Sequence, residues 1–331
     1  MKNLDKKKIF KLKSNLIGKK IAVIGDMMLD SYYWGRVNRI SPEAPVPVLE
    51  VDNEFSRFGG AMNVAKNIQS LGGIPFPIGV IGNDSDAAIF HKLLRETNID
   101  GHGLITDASR HTTTKTRVIA HKQHVIRIDK ENTNPIDSKV ERKIIKYLSS
   151  IMEQIDAVIL EDYNKGVLTE NLIKEVIKIS LDAGKIISVD PKFNNFFEYK
   201  NVTVFKPNRK ETEDALGMRI RTKQDLEYAG KKLLEELNPT YLLLTLGEDG
   251  IALFEKNNPV RRIPTKARKV SDVSGAGDTV IATITASLAA GYSIDEASYL
   301  ANFAGGIVCE EVGIVPIDLN LLLKSVKEEL A

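Results

Sequence analysis

The chain has 331 residues, which at roughly 150 residues per domain suits one large α/β unit with an elaboration, or two domains. Hydrophobic residues make up 43% and charged residues 27%, an ordinary globular balance that excludes wholesale disorder, a collagen and a coiled-coil rod. Lys+Arg at 46 against Asp+Glu at 44 leaves a net charge of +2, so there is no global field to grip nucleic acid or an anionic membrane, and any anionic ligand has to be held locally.

The first twenty residues carry eight lysines with no continuous apolar stretch ahead of Lys19 and Lys20, which reads as a basic tail and short helix over 1–19, not as a signal peptide. Ile21 to Gly25 (IAVIG) predicts a buried strand whose C-terminal end delivers Asp26, with Asp30 within reach of the same edge. The alternating, proline-bearing PVPVLEV of 45–51 predicts an edge strand, because proline cannot donate to a sheet ladder. Gly59-Gly60 opens a helix through Leu71, and a strand over 78–82 and a helix over 87–97 follow. Residues 113–129 (TTKTRVIAHKQHVIRID), β-branched and charged at alternate positions, predict a hairpin with one wet face. Beyond them the pattern alternates: helix 137–155, strand 157–161, helix 169–183, strands 186–190 and 202–206, helices within 209–236, strand 241–246, a hairpin near 250–264, and helices 276–290 and 294–310.

Such alternation predicts an α/β fold with a mostly parallel sheet covered on both faces. Segments 33–56 and 113–129 are then a small antiparallel lid inserted into one unit spanning 1–331, since no repeat or Ser/Gly linker divides the chain. Cys309 is the one cysteine, which excludes an internal disulfide and a Cys-based metal framework, suits a reducing cytoplasm, and reads as core filler. No apolar run approaches the ~18 residues of a membrane span.

The stretch Ser271-Asp272-Val273-Ser274-Gly275-Ala276-Gly277-Asp278-Thr279 puts two glycines and an alanine at the start of a long apolar helix. Small residues let backbone approach an anion, and N–H groups at a helix N-terminus hold phosphoryl oxygens as charge develops on them. Asp278 stands where a carboxylate accepts a hydroxyl proton, although an isolated GAGD is also an ordinary glycine turn with a capping aspartate. A dinucleotide fingerprint is disfavoured because Val280 replaces the third glycine, and no GxxxxGK[ST] occurs.

Gly59-Gly60-Ala61-Met62-Asn63-Val64-Ala65 early and DVSGAGDT late resemble the two signatures of the ribokinase/PfkB family of sugar kinases. Ile24-Gly25-Asp26-Met27-Met28-Leu29-Asp30, the RISPEAPVPV of 39–48, and Asp162-Tyr163-Asn164-Lys165-Gly166 resemble one branch of it, the D-glycero-D-manno-heptose 7-phosphate kinases. The resemblance runs from about Ile21 to about Pro316. It implies a ribokinase-like three-layer sandwich with a β lid that closes over the sugar and pairs in a homodimer, a cytoplasmic location, and ATP-dependent phosphorylation of the C1 hydroxyl of the heptose 7-phosphate toward lipopolysaccharide core. Some branch members are fused to a nucleotidyltransferase bearing His-x-Gly-His; none of the five histidines forms that motif and the sequence stops soon after Pro316, so the expectation is the kinase alone.

By the same resemblance Asp278 deprotonates the acceptor hydroxyl while N–H groups of Gly275, Ala276 and Gly277 form an anion hole. Asp26, Asp30, Gly59, Gly60, Asn63 and Asp162 face the sugar, and Lys115, Arg117 and Lys165 its distal phosphate. Asn208, Arg209, Lys210, Glu211, Thr245, Gly247, Gly250 and Asn302 serve the nucleotide, and Lys192 neutralises the nucleotide or the sugar phosphate. Mg2+ is expected to be held through nucleotide phosphates and water near Asn208 and Glu211, with no direct protein ligand, and a monovalent cation is an option. Read without the family, Asn208 and Glu211 are a helix cap and capping box, Asp26 and Asp30 are caps, and 245–250 is a turn. Glu161, where the branch usually has Ser, adds a carboxylate that either points outward or tunes a different acceptor. The rival functions are a kinase for another sugar and a non-catalytic sugar or nucleotide sensor.

Overall fold

The computed structural model describes residues 11–121, 123–265, 272–311 and 313–330, so residues 1–10 of the expected basic tail and Ser271 of the glycine-rich stretch lie outside the described residues. Along the chain the elements are α1 (Leu12–Leu16), β1 (Lys20–Gly25), β2 (Met27–Ile40), β3 (Pro47–Gly60), α2 (Ala61–Ser70), β4 (Ile74–Ile81), α3 (Ser85–Thr97), β5 (Leu104–Thr106), β6 (Thr113–Ala120), β7 (Gln123–Lys130) and α4 (Ser138–Ile151). They continue with β8 (Ala157–Glu161), α5 (Glu170–Asp182), β9 (Ile186–Asp190), β10 (Val204–Phe205), α6 (Arg209–Leu216), α7 (Lys223–Leu237), β11 (Tyr241–Thr245), β12 (Ile251–Glu255), β13 (Arg261–Ile263), α8 (Ala276–Ala289), α9 (Ile294–Val308) and α10 (Leu319–Leu330).

Strand β1 shows why the molecule has three layers. Successive side chains of a strand point to opposite faces, and here both faces are buried, so the strand reads as an unbroken apolar run. Ala22 and Ile24 join Val158, Leu160, Ile187 and Val189 in a core beneath α4, α5 and α7. Ile21 and Val23 join Ala157 and Ile159 in a second core that takes its other wall from α1, α2, α3, α8, α9 and α10. The large sheet runs β13-β12-β11-β10-β9-β8-β1-β4-β5, parallel except for the antiparallel β12 and β13.

The lid is the second sheet, ordered β3-β2-β6-β7, with β2 antiparallel to β3 and parallel to β6. It begins at Met27, not at 33: the first residues of β2 are buried against the core and its far end is exposed, so one strand belongs to both environments. Register shifts between Trp34 and Gly35 and between Val37 and Arg39 bend β2 away from the core. At the edge, β7 is exposed nearly throughout, including Val125, Ile126 and Ile128.

Other differences have simple causes. The expected helical stretch 209–236 splits because Gly217 takes a left-handed conformation at φ 63° and ends α6. The strand expected over 202–206 contracts to two residues, with Lys206 and Pro207 turning out of the sheet at its carboxyl edge. Helix α10, unforeseen, buries Leu322 and Val326 against the second core. Cys309 is half-buried at the end of α9 and is not core filler.

Candidate active site

Parallel strands deliver their C-terminal residues to one edge of the sheet, the usual place for a ligand in open α/β folds. Register aligns Gly25 with Glu161 and Glu161 with Asp190, while Phe205 pairs with Leu242 on one side and β9 on the other. Asp26, Glu161, Asp190 and Lys206 therefore stand in a row along that edge, all buried. Opposite them lies the N-terminus of α8, entered through Gly275, whose φ of 78° is a left-handed conformation that a side chain disfavours. A Cβ on Gly277 would sit 3.5 Å from Asp190 Oδ2 and 3.6 Å from Lys206 Nζ, so helix start and strand ends enclose one space. Asp272 shapes the approach to the helix by accepting hydrogen bonds from the Ser274 N–H (2.9 Å) and the Gly313 N–H (3.0 Å).

Asp278, on the first turn of α8, is buried and has a donor on each oxygen: Asn63 Nδ2 donates to Oδ2 at 2.7 Å and the Tyr163 hydroxyl to Oδ1 at 2.7 Å. Burial, reinforced by the Asp190 charge, pushes its carboxyl pKa up against those two hydrogen bonds. A raised carboxylate in a dry cleft is a better proton acceptor than an exposed one. Of the three expected anion-hole groups, the Ala276 N–H turns back to the Val273 carbonyl at 3.3 Å.

Several expectations on the sugar side are corrected. Asp26 does not face the pocket: its carboxylate accepts the backbone N–H groups of Tyr163 (2.8 Å), Lys165 (3.0 Å) and Val167 (3.2 Å), which ties the loop after β8 to β1. Asp162 is likewise withdrawn, accepting the Tyr199 hydroxyl (2.7 Å) and the Asn164 N–H (2.7 Å), and burial followed by the Asp26 charge raises its pKa to about 6. Asn63 and Gly60 are not withdrawn in this way: the Asn63 amide donates to Asp278, and Gly60 opens α2. Glu161 does not point outward. It is 1% exposed, burial and Asp190 push its pKa well up, and its Oε2 has no hydrogen-bond partner.

Asp30 is buried and paired with Arg117, whose guanidinium lies 5.5 Å from the Tyr32 ring centroid. Gly59 leaves the room this needs, since a Cβ there would overlap the Asp30 carboxylate. Burial raises the Asp30 pKa, with Arg117, Lys115 and Arg127 pulling it down. Lys115 reaches Asp129 and Glu131, each at 3.3 Å, and Lys165 reaches Glu131 at 2.8 Å. The expected basic trio is thus gathered at the lid's root, but every member already has a carboxylate partner.

On the other flank Asn208 and Glu211 form a reciprocal capping box at the start of α6, each side chain bonding the other's N–H at 2.8 Å. Glu211 also pairs with Lys192, which lies 5.4 Å from the Tyr163 ring centroid. Arg209 pairs with Asp249, Lys210 is exposed, and the Thr245 N–H donates to the Pro207 carbonyl at 3.0 Å beside Asn208. Gly247 and Gly250 both have positive φ in the turn after β11, and Asn302 Nδ2 donates to the Pro264 carbonyl at 2.7 Å.

Sequence reasoning missed Lys206, whose Nζ is 2.7 Å from Asp190 Oδ2, and the parts played by Tyr163, Asp190 and Glu131. Lys206 had a signal: a lysine closing an apolar strand immediately before Pro207-Asn208. For Glu131, in a loop of polar residues, there was none.

A family model described as pfkB family carbohydrate kinase matches residues 18–318. The chain is 44% identical over 299 residues to "Bifunctional protein HldE" of Desulfatibacillum aliphaticivorans, covering 90% of this chain and 61% of that protein. It is 39% identical over 319 residues to the protein of the same name from Syntrophotalea carbinolica, covering 96% and 65%. The chain therefore spans a little over three fifths of the length of these curated relatives. Among solved structures it superposes on phosphofructokinase-2 from Escherichia coli in complex with potassium with a TM-score of 0.75 at 17% identity, covering 95% of this chain and 99% of that one. Arabidopsis thaliana ribokinase complexed with ribose and ATP gives 0.72 at 17% identity, covering 93% and 99%. These likenesses establish the fold as ribokinase-like, with a large mostly parallel sheet and a small, mainly antiparallel one whose central pair β2–β6 is parallel.

Proposed function

The chain belongs to the pfkB family of carbohydrate kinases, phosphotransferases with an alcohol group as acceptor, and on that premise we propose that it phosphorylates the C1 hydroxyl of D-glycero-D-manno-heptose 7-phosphate from Mg-ATP. The observation that carries the chemistry is Asp278: a buried carboxylate, oriented by Asn63 and Tyr163, at the mouth of a helix whose glycine-rich start faces Lys206. In this reading Asp278 takes the proton from the acceptor hydroxyl as it attacks the terminal phosphorus. The first-turn N–H groups around Gly275 and Gly277, with Lys206, bear the charge that develops on the phosphoryl oxygens. Asn63 and Tyr163 hold the base in line, and Asp26 keeps the Tyr163 loop in place.

The sugar lies between Asp30, Gly59, Gly60 and Asn63, and its distal phosphate takes over Lys115, Arg117 and Lys165 from their carboxylate partners. The nucleotide occupies the flank of Lys192, Asn208, Arg209, Lys210, Glu211, Thr245, Gly247, Gly250 and Asn302. The donor set fits magnesium, because a carboxylate oxygen from each of buried Glu161, Asp190 and Asp278 lies within 4.8 Å of the others, and Glu161 Oε2 has no hydrogen-bond partner. When bound, the metal supplies charge neutralisation for the transferring phosphoryl. A monovalent cation is a further candidate, as potassium is named with the phosphofructokinase-2 neighbour.

The relatives named HldE support the heptose reading, as do the lid cations. One observation favours an unphosphorylated or different sugar instead: each of those cations is already neutralised. We assign residues 1–331 to one kinase unit with an inserted lid, working in the cytoplasm where ATP is supplied; no helix among the described residues is long and apolar enough to cross a membrane. The uncovered apolar strip of β7 supports a lid-to-lid homodimer.

The test is Mg-ATP turnover with heptose 7-phosphate against the unphosphorylated heptose, fructose 6-phosphate, fructose 1-phosphate and ribose. Preference for heptose 7-phosphate is the expected result; turnover only with another sugar retains the kinase and overturns the phosphate assignment of Lys115, Arg117 and Lys165.

A further inference from the structure

Apart from its place in the magnesium donor set, Glu161 has no task in the phosphoryl transfer described above, on whose reading this inference rests. It ends β8, is 1% exposed and has a partnerless Oε2, yet carboxylate oxygens of Asp190 and Asp278 lie within 4.8 Å. Carboxylates removed from water and set beside one another are tolerated only when protons, basic side chains or a cation neutralise them. The basic side chains fall short. Lys206 contacts Asp190, and Lys192 pairs with Glu211 while also feeling the charges of Asp190 and Glu161, so four carboxylates share two ammonium groups and two formal negative charges are left for protons or a cation.

The three oxygen donors are not equivalent. Asp278 already has a hydrogen-bond donor on each oxygen and is reserved for the acceptor hydroxyl, whereas Asp190 has one oxygen on Lys206 and Glu161 has a partnerless Oε2, which leaves these two with more capacity for a cation. Two carboxylates, one of them facing Gly277 on the first turn of α8, suit a hard cation of magnesium size, which characteristically accepts one or two protein carboxylates and completes its shell with water and phosphate oxygens. The alternative position near Asn208 and Glu211 offers less, because those side chains are closed on each other in a capping box and Glu211 is further engaged by Lys192.

We propose that Glu161 and Asp190 form a protein-held divalent-cation site of the Mg2+ or Mn2+ class that fills before nucleotide binds. The cation then stands between the sheet edge and the start of α8, ready to meet the phosphoryl group, and need not arrive with the nucleotide.

Mn2+ alone is the probe. It is titrated into the full chain without nucleotide, and free Mn2+ is followed by its paramagnetic resonance signal. The site predicts about one Mn2+ per chain, displaced by Mg2+, with affinity lowered at least about tenfold in Glu161→Gln. The wild-type melting temperature should rise with added Mn2+ and that of the variant should not. Should Glu161→Gln fail to fold, Asp190→Asn is read the same way, and the wild-type titration is decisive by itself. Absence of Mn2+ binding at millimolar metal until ATP is added would overturn the site, as would unchanged binding in both variants. Loss of binding in Glu211→Gln with retention in Glu161→Gln would also overturn it, by moving the cation to the nucleotide flank. Since no sugar enters the experiment, its outcome is independent of the acceptor.

Discussion

The carboxyl edge of the large sheet and the root of the lid are both crowded with charge, but they balance it in opposite ways. At the sheet edge, Glu161, Asp190 and Asp278 outnumber Lys206 and are buried under two cores that hold them together. At the lid root, Lys115 and Arg117 of β6 and Lys165 of the loop after β8 are matched by Asp30, Asp129 and Glu131. At the sheet edge packing keeps the carboxylates from finding side-chain partners, so protons or a cation must neutralise them, whereas at the lid root the side chains neutralise one another. In the proposed function the first region is preorganised for charge that a substrate brings, and the second would recognise a phosphate only by exchanging partners.

The strongest way to break this contrast is at Asp278. Asp278→Asn keeps the shape and the nucleotide flank but removes the proton acceptor, so turnover should fall by about 10²–10⁴-fold while ATP binding by calorimetry is retained. Near-normal turnover would remove the sheet edge from the chemistry.

Next in size is the lid's buried pair. Arg117→Met leaves Asp30 without its partner, and breaking such a pair costs about 3–5 kcal/mol, measured by urea unfolding. Adding Asp30→Asn should recover most of the loss. If the single variant is as stable as the parent, the pair is not the compensated unit that distinguishes the lid.

A smaller effect tests how far burial of charge extends behind the edge. Asp162 has a folded pKa of about 6 against an ordinary 3.8, so the folded protein holds this proton more tightly than the unfolded chain. Its contribution is neutral below pH 3.8, and stability falls as pH rises from there to 6, by on the order of 3 kcal/mol in total. Asp162→Asn should flatten that part of the stability profile, and an unchanged slope would show the group to be ionised throughout.

How much of this was legible depended on the kind of interaction. The strand IAVIG and the helix cap at Asn208 are local signals, and both fell where the sequence placed them. The glycine-rich start of α8 was readable because few residues permit a close backbone approach. What sequence could not show was partner choice. That Asp26 faces a loop, that Asn63 serves Asp278, and that Glu131 joins Lys115 to Lys165 all depend on segments far apart in the chain. The lid boundary was misplaced for a related reason: β2 starts in the core and ends in solvent, so no single period describes it.

The smallest expected effect on stability lies at β7. Replacing Val125, Ile126 and Ile128 with Thr should leave monomer unfolding within about 0.5 kcal/mol per site, since all three are exposed, yet shift sedimentation from dimer to monomer. A dimer that survives places its interface elsewhere.

The most direct test of the division between a chemical edge and a recognising lid is the selectivity of Lys115→Ala/Lys165→Ala. Its kcat/KM for heptose 7-phosphate is compared with that for the unphosphorylated heptose. The prediction is a rise in KM for the phosphorylated sugar of about ten- to a hundredfold with kcat largely kept, so that the preference collapses. A fall in kcat for both sugars with the preference intact would contradict it, and would place the lid cations in the chemistry and not in recognition.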